Sequence, residues 1–284
     1  MLTLIRIGFF FGDHDVITSN LKKAEALIEE GGDWDRRNRL KVYNGLHLLS
    51  IRQFKRGGEL FSDALSTFTA SELLSYNDFV ALTVISNTLA LNRVDLKKKI
   101  INAPEVIQVL PELPTLGDLV KNLYECHYDK FFIALGKLSL LYLEILLIRL
   151  CYVASLEQTY LLPSRILNPH TRFYVREMRI LAYGQLLESY RSLTLESLSR
   201  AFGVSVEFLD KYVLFRYFFN TSSTFTNSEL SRFIANGRLH CTIDKVQGVV
   251  VTTRPSVKNA QYETVIRQGD ILLNQVQRLS KVLY

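Results

Sequence analysis

Apolar residues in the first third of the chain recur every three or four positions, and short polar or glycine-bearing stretches interrupt them. That period is helical. It predicts a helix over 15–30 that stops at Gly31-Gly32. Asp33 is placed to cap a second helix running to about Phe54, with Leu40, Tyr43, Leu46, Leu49 and Phe54 at near-helical spacing. Arg56-Gly57-Gly58 reads as a turn, followed by a shorter helix over 59–68 with Leu60, Phe61, Ala64 and Leu65 on one stripe. Residues 76–91 are so rich in apolar positions that this helix is expected to be buried on more than one side. Helix pairs of this length joined by short turns suggest an α-solenoid of tetratricopeptide type. Internal self-similarity is weak, so this reading rests on the succession of helices alone.

The pattern changes character in the second half. Residues 173–190 form a helix with Ile180, Tyr183, Leu187 and Tyr190 on one face. Thr194 can cap the next helix, whose buried stripe is Leu195, Leu198 and Phe202. Gly203 supplies a turn, and Ser205 can cap a third helix starting at Val206. Helix, glycine turn and helix make a helix-turn-helix. Asn236-Gly237 is a helix stop. Two alternating runs follow, with Leu239, Cys241 and Ile243 sharing one strand face and Val249 and Val251 sharing another, joined by a turn over 244–248. A helix-turn-helix followed by a hairpin is a winged helix, with Leu195, Leu198, Phe202, Leu209, Phe233 and Ile234 as its expected core. The chain then finishes in one long helix over 259–283, where Val265, Leu272, Val276, Leu279 and Leu283 keep an a/d spacing with Gly269 at the remaining position. Such a seam needs a partner surface.

Composition supports this picture. Hydrophobic residues at 48% and charged residues at 22% are a globular balance, and only six prolines and fourteen glycines punctuate the 284 residues, which favours helices over a strand-rich sandwich. Three cysteines without regular spacing, Cys126, Cys151 and Cys241, do not make a disulfide framework and fit a reducing compartment. The opening stretch is apolar but lacks a small-residue cleavage site, so no signal peptide is read. Residues 138–153 are apolar, yet they contain Glu144 and Arg149 and fall short of the roughly 20 residues a bilayer needs.

Candidate chemistry is sparse. Cys126-His127 and His240-Cys241 are adjacent pairs, whereas zinc ligands are usually spaced so that both side chains face one ion. Asp13-His14-Asp15 is a denser cluster but stands alone. No nucleophile elbow or phosphate-cradling glycine motif occurs, and Glu188 and Glu196 read as solvated helix charges. The expectation is a protein without catalytic residues, cofactor, metal or small-molecule substrate. The formal charge of +6 leaves nucleic acid as the main rival partner, because winged helices often enter the major groove. Here Lys and Arg are interspersed with acids, the one dense run is Lys97-Lys98-Lys99, and the third helix offers Glu207, Asp210 and Glu229 against Arg232. Those acids oppose docking on phosphates, although Lys245, Arg254 and Lys258 near the wing could give weak non-specific contact.

Three stretches carry a family resemblance: GGDWDRRNRLKVYNGLHLLSIRQFKRGGELF (31–61), RFYVREMRILAYGQLLESYRSLTLESLSRAFGVSVEFLD (172–210) and SELSRFIANGRLHCTIDKVQGVVVTTRP (228–255). In order and wording they resemble the family of the proteasome regulatory-particle non-ATPase subunit seven. The resemblance implies a mainly α chain with a helical-repeat region over 1–126 and a PCI domain over 127–255 whose winged helix occupies about 172–255. It further implies a C-terminal bundle helix over 256–284. It implies a non-catalytic scaffold in the lid of the 26S proteasome, supporting ubiquitin-dependent proteolysis in cytoplasm and nucleus. The implied partners are other PCI and MPN subunits of the lid and the ATPase ring. Within the terminal helix, Val265, Ile266, Leu272, Val276, Leu279 and Val282 are the candidates for that docking. The related subunit one of the COP9 signalosome shares the architecture and stands as the alternative; the stretches DWDRRNRLKVY and REMRILAYGQLLESY favour the proteasome.

The chain departs from the family pattern in three places. The known subunits carry a longer N-terminal helical extension. Residues 139–155 and 211–227, 17 each, also interrupt runs that are continuous in the family. Without 211–227, Leu230, Phe233 and Ile234 fall at +4, +7 and +8 from Leu209, which restores one amphipathic third helix. The two segments are therefore expected to be translated introns foreign to the fold.

Overall fold

The computed structural model describes residues 1–135, 156–203, 229–244, 246–253 and 257–283. Both interrupting segments, the apolar stretch 138–153 and the expected core residue Leu209 lie outside the described residues.

Five helices open the chain: α1 (Leu2–Phe11), α2 (His14–Glu29), α3 (Trp34–Ser50), α4 (Phe54–Ala64) and α5 (Tyr76–Ala90). Each packs against the next in sequence, which is the order of a helical-repeat array. Local chemistry sets most of the starts. Asp13 caps α2 by accepting from the backbone N–H groups of Asp15 and Val16, Asp33 caps α3, and Ser75 accepts from Asp78 N–H at the start of α5. As its composition predicts, α5 is buried continuously from Phe79 to Thr88.

The break between α3 and α4 differs from the sequence expectation. The chain turns at 51–53, with Arg52 in the left-handed region at φ 70°, and Gly57-Gly58 lies inside α4. The two glycines, with Gly45 on α3, serve close helix packing. A Cβ on Gly45 would sit 2.5 Å from the Phe61 ring, one on Gly57 3.2 Å from the Gly45 carbonyl oxygen, and one on Gly58 3.0 Å from Asn87. The Asn87 amide donates to the Gly58 carbonyl at 3.1 Å across that gap.

Shorter helices follow: α6 (Arg93–Leu96), α7 (Pro104–Val109), α8 (Pro114–Glu125) and α9 (Tyr128–Leu135). The long α10 (Thr171–Ser189) then leads into strand β1 (Ser192–Thr194), α11 (Leu195–Phe202), α12 (Glu229–Ala235), strands β2 (Cys241–Asp244) and β3 (Val249–Thr252), and the terminal α13 (Val257–Leu283). The strands form an antiparallel sheet in the order β1-β3-β2. Thr194 caps α11 as expected, its hydroxyl accepting from Ser197 N–H at 3.2 Å, and Gly203 ends it at φ 62°.

The hairpin keeps the expected grouping of faces and adds which of them is turned inward. Leu239 and Cys241 are buried and Ile243 is half-buried, in keeping with a shared inner face. On β3 the inward residue is Val250, fully buried opposite Ile243 and Leu193. Val249 and Val251 do share a face, but it is the outer one. Three consecutive valines carry no alternation, so pairing with β2, rather than pattern, fixes which one points in.

One apolar core runs from Val42 on α3 to Val250 on β3. A smaller cluster of Ile5, Ile17, Leu21, Ala24, Leu40 and Tyr43 joins α1, α2 and α3. Aromatic packing knits the winged helix to the helices before it: Phe202 meets Tyr183 at 4.7 Å and Tyr128 and Phe132 at 5.1 Å between centroids. Of the expected winged-helix core, Leu198, Phe202 and Phe233 are buried, while Leu195 and Ile234 are half-buried against it.

Candidate interaction surface

Asp13, Cys126, Cys241 and Tyr174 are held as structural parts. Asp13 is spent on capping α2. Cys126 ends α8 in the left-handed conformation at φ 63°, its Sγ 3.8 Å from the Gln185 amide nitrogen. Cys241 lies inside the sheet, where burial pushes its thiol pKa up, the opposite of what activates a thiolate nucleophile. The Tyr174 hydroxyl, wholly buried, donates to the Ile85 carbonyl at 3.0 Å and is held protonated by that burial. Among the described residues no three His, Cys, Asp or Glu side chains gather into a group that could hold a metal ion. No helix among them is long and apolar enough to cross a membrane.

The surface carries a different signal. α13 is 27 residues long, about 40 Å at 1.5 Å per residue. The predicted docking residues Val265 and Ile266 are each 63% exposed, Leu272 is 64% and Val276 59% exposed. The side chains of Leu279 and Val282 lie outside the described residues. Tyr262 and Leu273, also well exposed, fall on the same face at 100° per residue and widen the stripe, with Gly269 at its centre. The heptad reading missed these two because a strict a/d count is narrower than the stripe a straight helix presents. Each such side chain is worth roughly 1.5–3 kcal/mol when fully buried, so a continuous row left in water is a surface built to be covered.

The winged helix stands on a firm base. Glu177 of α10 is buried and carries an ion pair with Arg238, just beyond α12, while Arg176 approaches it at 3.5 Å. This latch ties the loop before β2 to the long helix beneath it. At the wing tip, Asp244 accepts from the backbone N–H groups of Val246 and Gln247, which leaves Val246 pointing fully into solvent. Of the third-helix residues weighed for nucleic acid, Glu207, Asp210 and the side chain of Glu229 lie outside the described residues, and Arg232 is exposed on α12.

Known proteins with this sequence pattern agree with the geometry. The model of the 26S proteasome subunit RPN7 family matches residues 1–99, the PCI domain model matches 153–254, and the model of the 26S proteasome regulatory subunit RPN7/PSMD6 C-terminal helix matches 261–283. The chain is 44% identical over 279 residues to the 26S proteasome non-ATPase regulatory subunit 6 homolog of Arabidopsis thaliana, covering 98% of this chain and 63% of that protein. It is 44% identical over 283 residues to the 26S proteasome non-ATPase regulatory subunit 6 of Dictyostelium discoideum, covering 100% of this chain and 65% of the relative. The 26S proteasome regulatory subunit RPN7 of Saccharomyces cerevisiae is 38% identical over 281 residues, covering 98% of this chain and 57% of its own length. The chain thus spans a little under two thirds of the length of these relatives. Two family-specific models in the expected order, a PCI domain between them and 44% identity over 98% of this chain converge on one similarity, to the 26S proteasome subunit RPN7 family.

Proposed function

We propose that this chain is a non-catalytic scaffold of the 26S proteasome regulatory-particle lid, which supports assembly and thereby ubiquitin-dependent protein degradation in cytoplasm and nucleus. The observation that carries the reading is the apolar stripe of α13, exposed from Tyr262 to Val276. Val265, Ile266, Leu272 and Val276, continued by Leu279, dock into a bundle with the helices of neighbouring subunits, and Val282, about 130° round from the centre of that row at 100° per residue, would meet the bundle from its flank. In this reading 1–126 is the helical-repeat arm, 127–255 the PCI module that meets other PCI subunits, and 256–284 the bundle helix. The partners are PCI and MPN subunits of the lid and, through them, the ATPase ring.

Affinity purification of the tagged chain followed by mass spectrometry tests this. Lid subunits together with ATPase ring subunits are the expected companions; signalosome subunits without the ring, or no companions at all, contradict the proposal. The same purification with residues 211–227 deleted is expected to recover the lid at least as well, because Leu230 and Phe233, just beyond that segment, already occupy the winged-helix core.

A further inference from the structure

At the α3–α4 turn lies an open groove of about 430 Å³. Its floor is apolar, formed by Phe54, Leu89 and Phe173, and its rim is cationic, formed by Arg52, Lys55 and Arg56. No carboxylate lines it, and among the described residues none of these three cations forms an ion pair. Arg52 is instead aimed by a neutral partner. The His170 Nε2–H donates to the Ser50 carbonyl at 2.8 Å, which leaves Nδ1 to accept from Arg52 Nε at 3.2 Å. The Arg52 guanidinium lies 5.2 Å from the centroid of Phe173, and that of Arg176 lies 5.4 Å from the same ring. The first turn of α4 opens on the same place with no side chain capping its N–H groups. Positive charge is therefore concentrated over an apolar floor, and no carboxylate among the described residues lines the groove to balance it.

We propose that this groove binds an acidic peptide segment of a partner protein, one that seats a large apolar side chain on the half-buried Leu89 and Phe173, with Phe54 buried beneath them, and sets carboxylates against Arg52, Lys55 and Arg56. Charge complementarity decides the sign of the partner, and the floor decides its class. A free phosphate would leave the aromatic floor uncovered. With Phe173 already flanked by two guanidiniums and stacked against Phe54 at 6.0 Å, the floor has no open ring face for a nucleobase to stack on, and the aliphatic Leu89 beside it suits an apolar side chain. The groove uses no residue of α13, and the inference does not depend on the lid reading.

The test is fluorescence anisotropy with the full chain and a fluorescein-labelled peptide of about 12 residues, all Asp and Glu apart from a central Leu-Phe pair. Saturable binding is expected, about tenfold weaker when the pair is replaced by Ser and about tenfold weaker for the Lys55→Glu/Arg56→Glu chain. The charge-matched control Lys98→Glu/Lys99→Glu is expected to bind like the wild type. Circular dichroism checks that each variant is folded; if the double reversal is not, Lys55→Ala, at an exposed position, is expected to weaken binding several-fold. Lack of saturable binding, equal loss in both double reversals, or tighter binding of a single-stranded DNA of the same length overturns the proposal.

Discussion

Single residues account for features that no pattern of polar and apolar positions reveals. Gly45 and Gly58 are needed where α3, α4 and α5 approach closely, so an added methyl group meets the Phe61 ring or Asn87. Gly45→Ala is expected to cost about 1–3 kcal/mol of stability through overpacking, read by urea denaturation. Gly269→Ala on the open stripe of α13, where nothing lies within 4 Å of the added methyl, is expected to cost nothing and to gain up to about 1 kcal/mol of helix propensity. His47 supplies a pH dependence. Thr18 spends its hydroxyl proton on the His14 carbonyl at 2.8 Å and so accepts from His47 Nε2–H at 3.2 Å, which leaves the buried Nδ1 without a partner among the described residues. Burial first, and the neighbouring His14 second, lower the His47 pKa from its ordinary 6.5. The folded state therefore takes up this proton less readily than the unfolded chain. The stabilising contribution is complete above about pH 6.5 and is lost as pH falls from there through the lowered folded value. Thermal midpoints measured between about pH 7 and about pH 5 should fall in the wild type and fall less in His47→Gln.

At the scale of elements, helices with strong periodicity and explicit caps were legible in the sequence. α2, α3, α5, α10, α11 and α13 lie within a few residues of their predicted bounds, and α12 ends at the predicted Asn236-Gly237 stop; Asp33, Thr194 and Gly31 carry their own local chemistry at the ends of α3, α11 and α2. What was not legible depends on contacts distant in sequence. Gly57-Gly58 has the composition of a turn, and only the approach of Gly45 and Asn87 shows it to be packing. β1 is three residues long and becomes a strand only by pairing with β3. The stretch between α5 and α10 is cut into short pieces by Pro104, Pro111 and Pro114, so no window is long enough to show a period. The docking candidates on α13 were readable because its stripe is exposed and continuous, whereas the cationic groove is assembled from two turns more than a hundred residues apart. The latch between α10 and the hairpin is equally invisible to pattern. Arg238→Ala leaves Glu177 buried with Arg176 at 3.5 Å as its remaining cation. The expected cost is about 1–2 kcal/mol, below that of a fully buried pair because Arg238 is half exposed. Chemical denaturation measures the loss, and Glu177→Gln/Arg238→Ala together are expected to cost less than the sum of the two single changes.

For the molecule as a whole, the division of labour is between a core that is continuous from α3 to the wing and a terminal helix that contributes its apolar face outward. Thr83, Asn87 and Glu177 spend buried polar groups on helix contacts and a latch, and among the described residues a long exposed apolar row lies on α13. Assembly through that row is the central claim, and Leu272→Glu/Val276→Glu tests it most directly. Both side chains are well exposed, so the variant is expected to keep the wild-type thermal midpoint. In native gel analysis of cells expressing it, the account predicts that the variant stays free of the 26S proteasome while the wild-type chain co-migrates with it. A folded variant that enters the 26S particle as efficiently as the wild type contradicts the account.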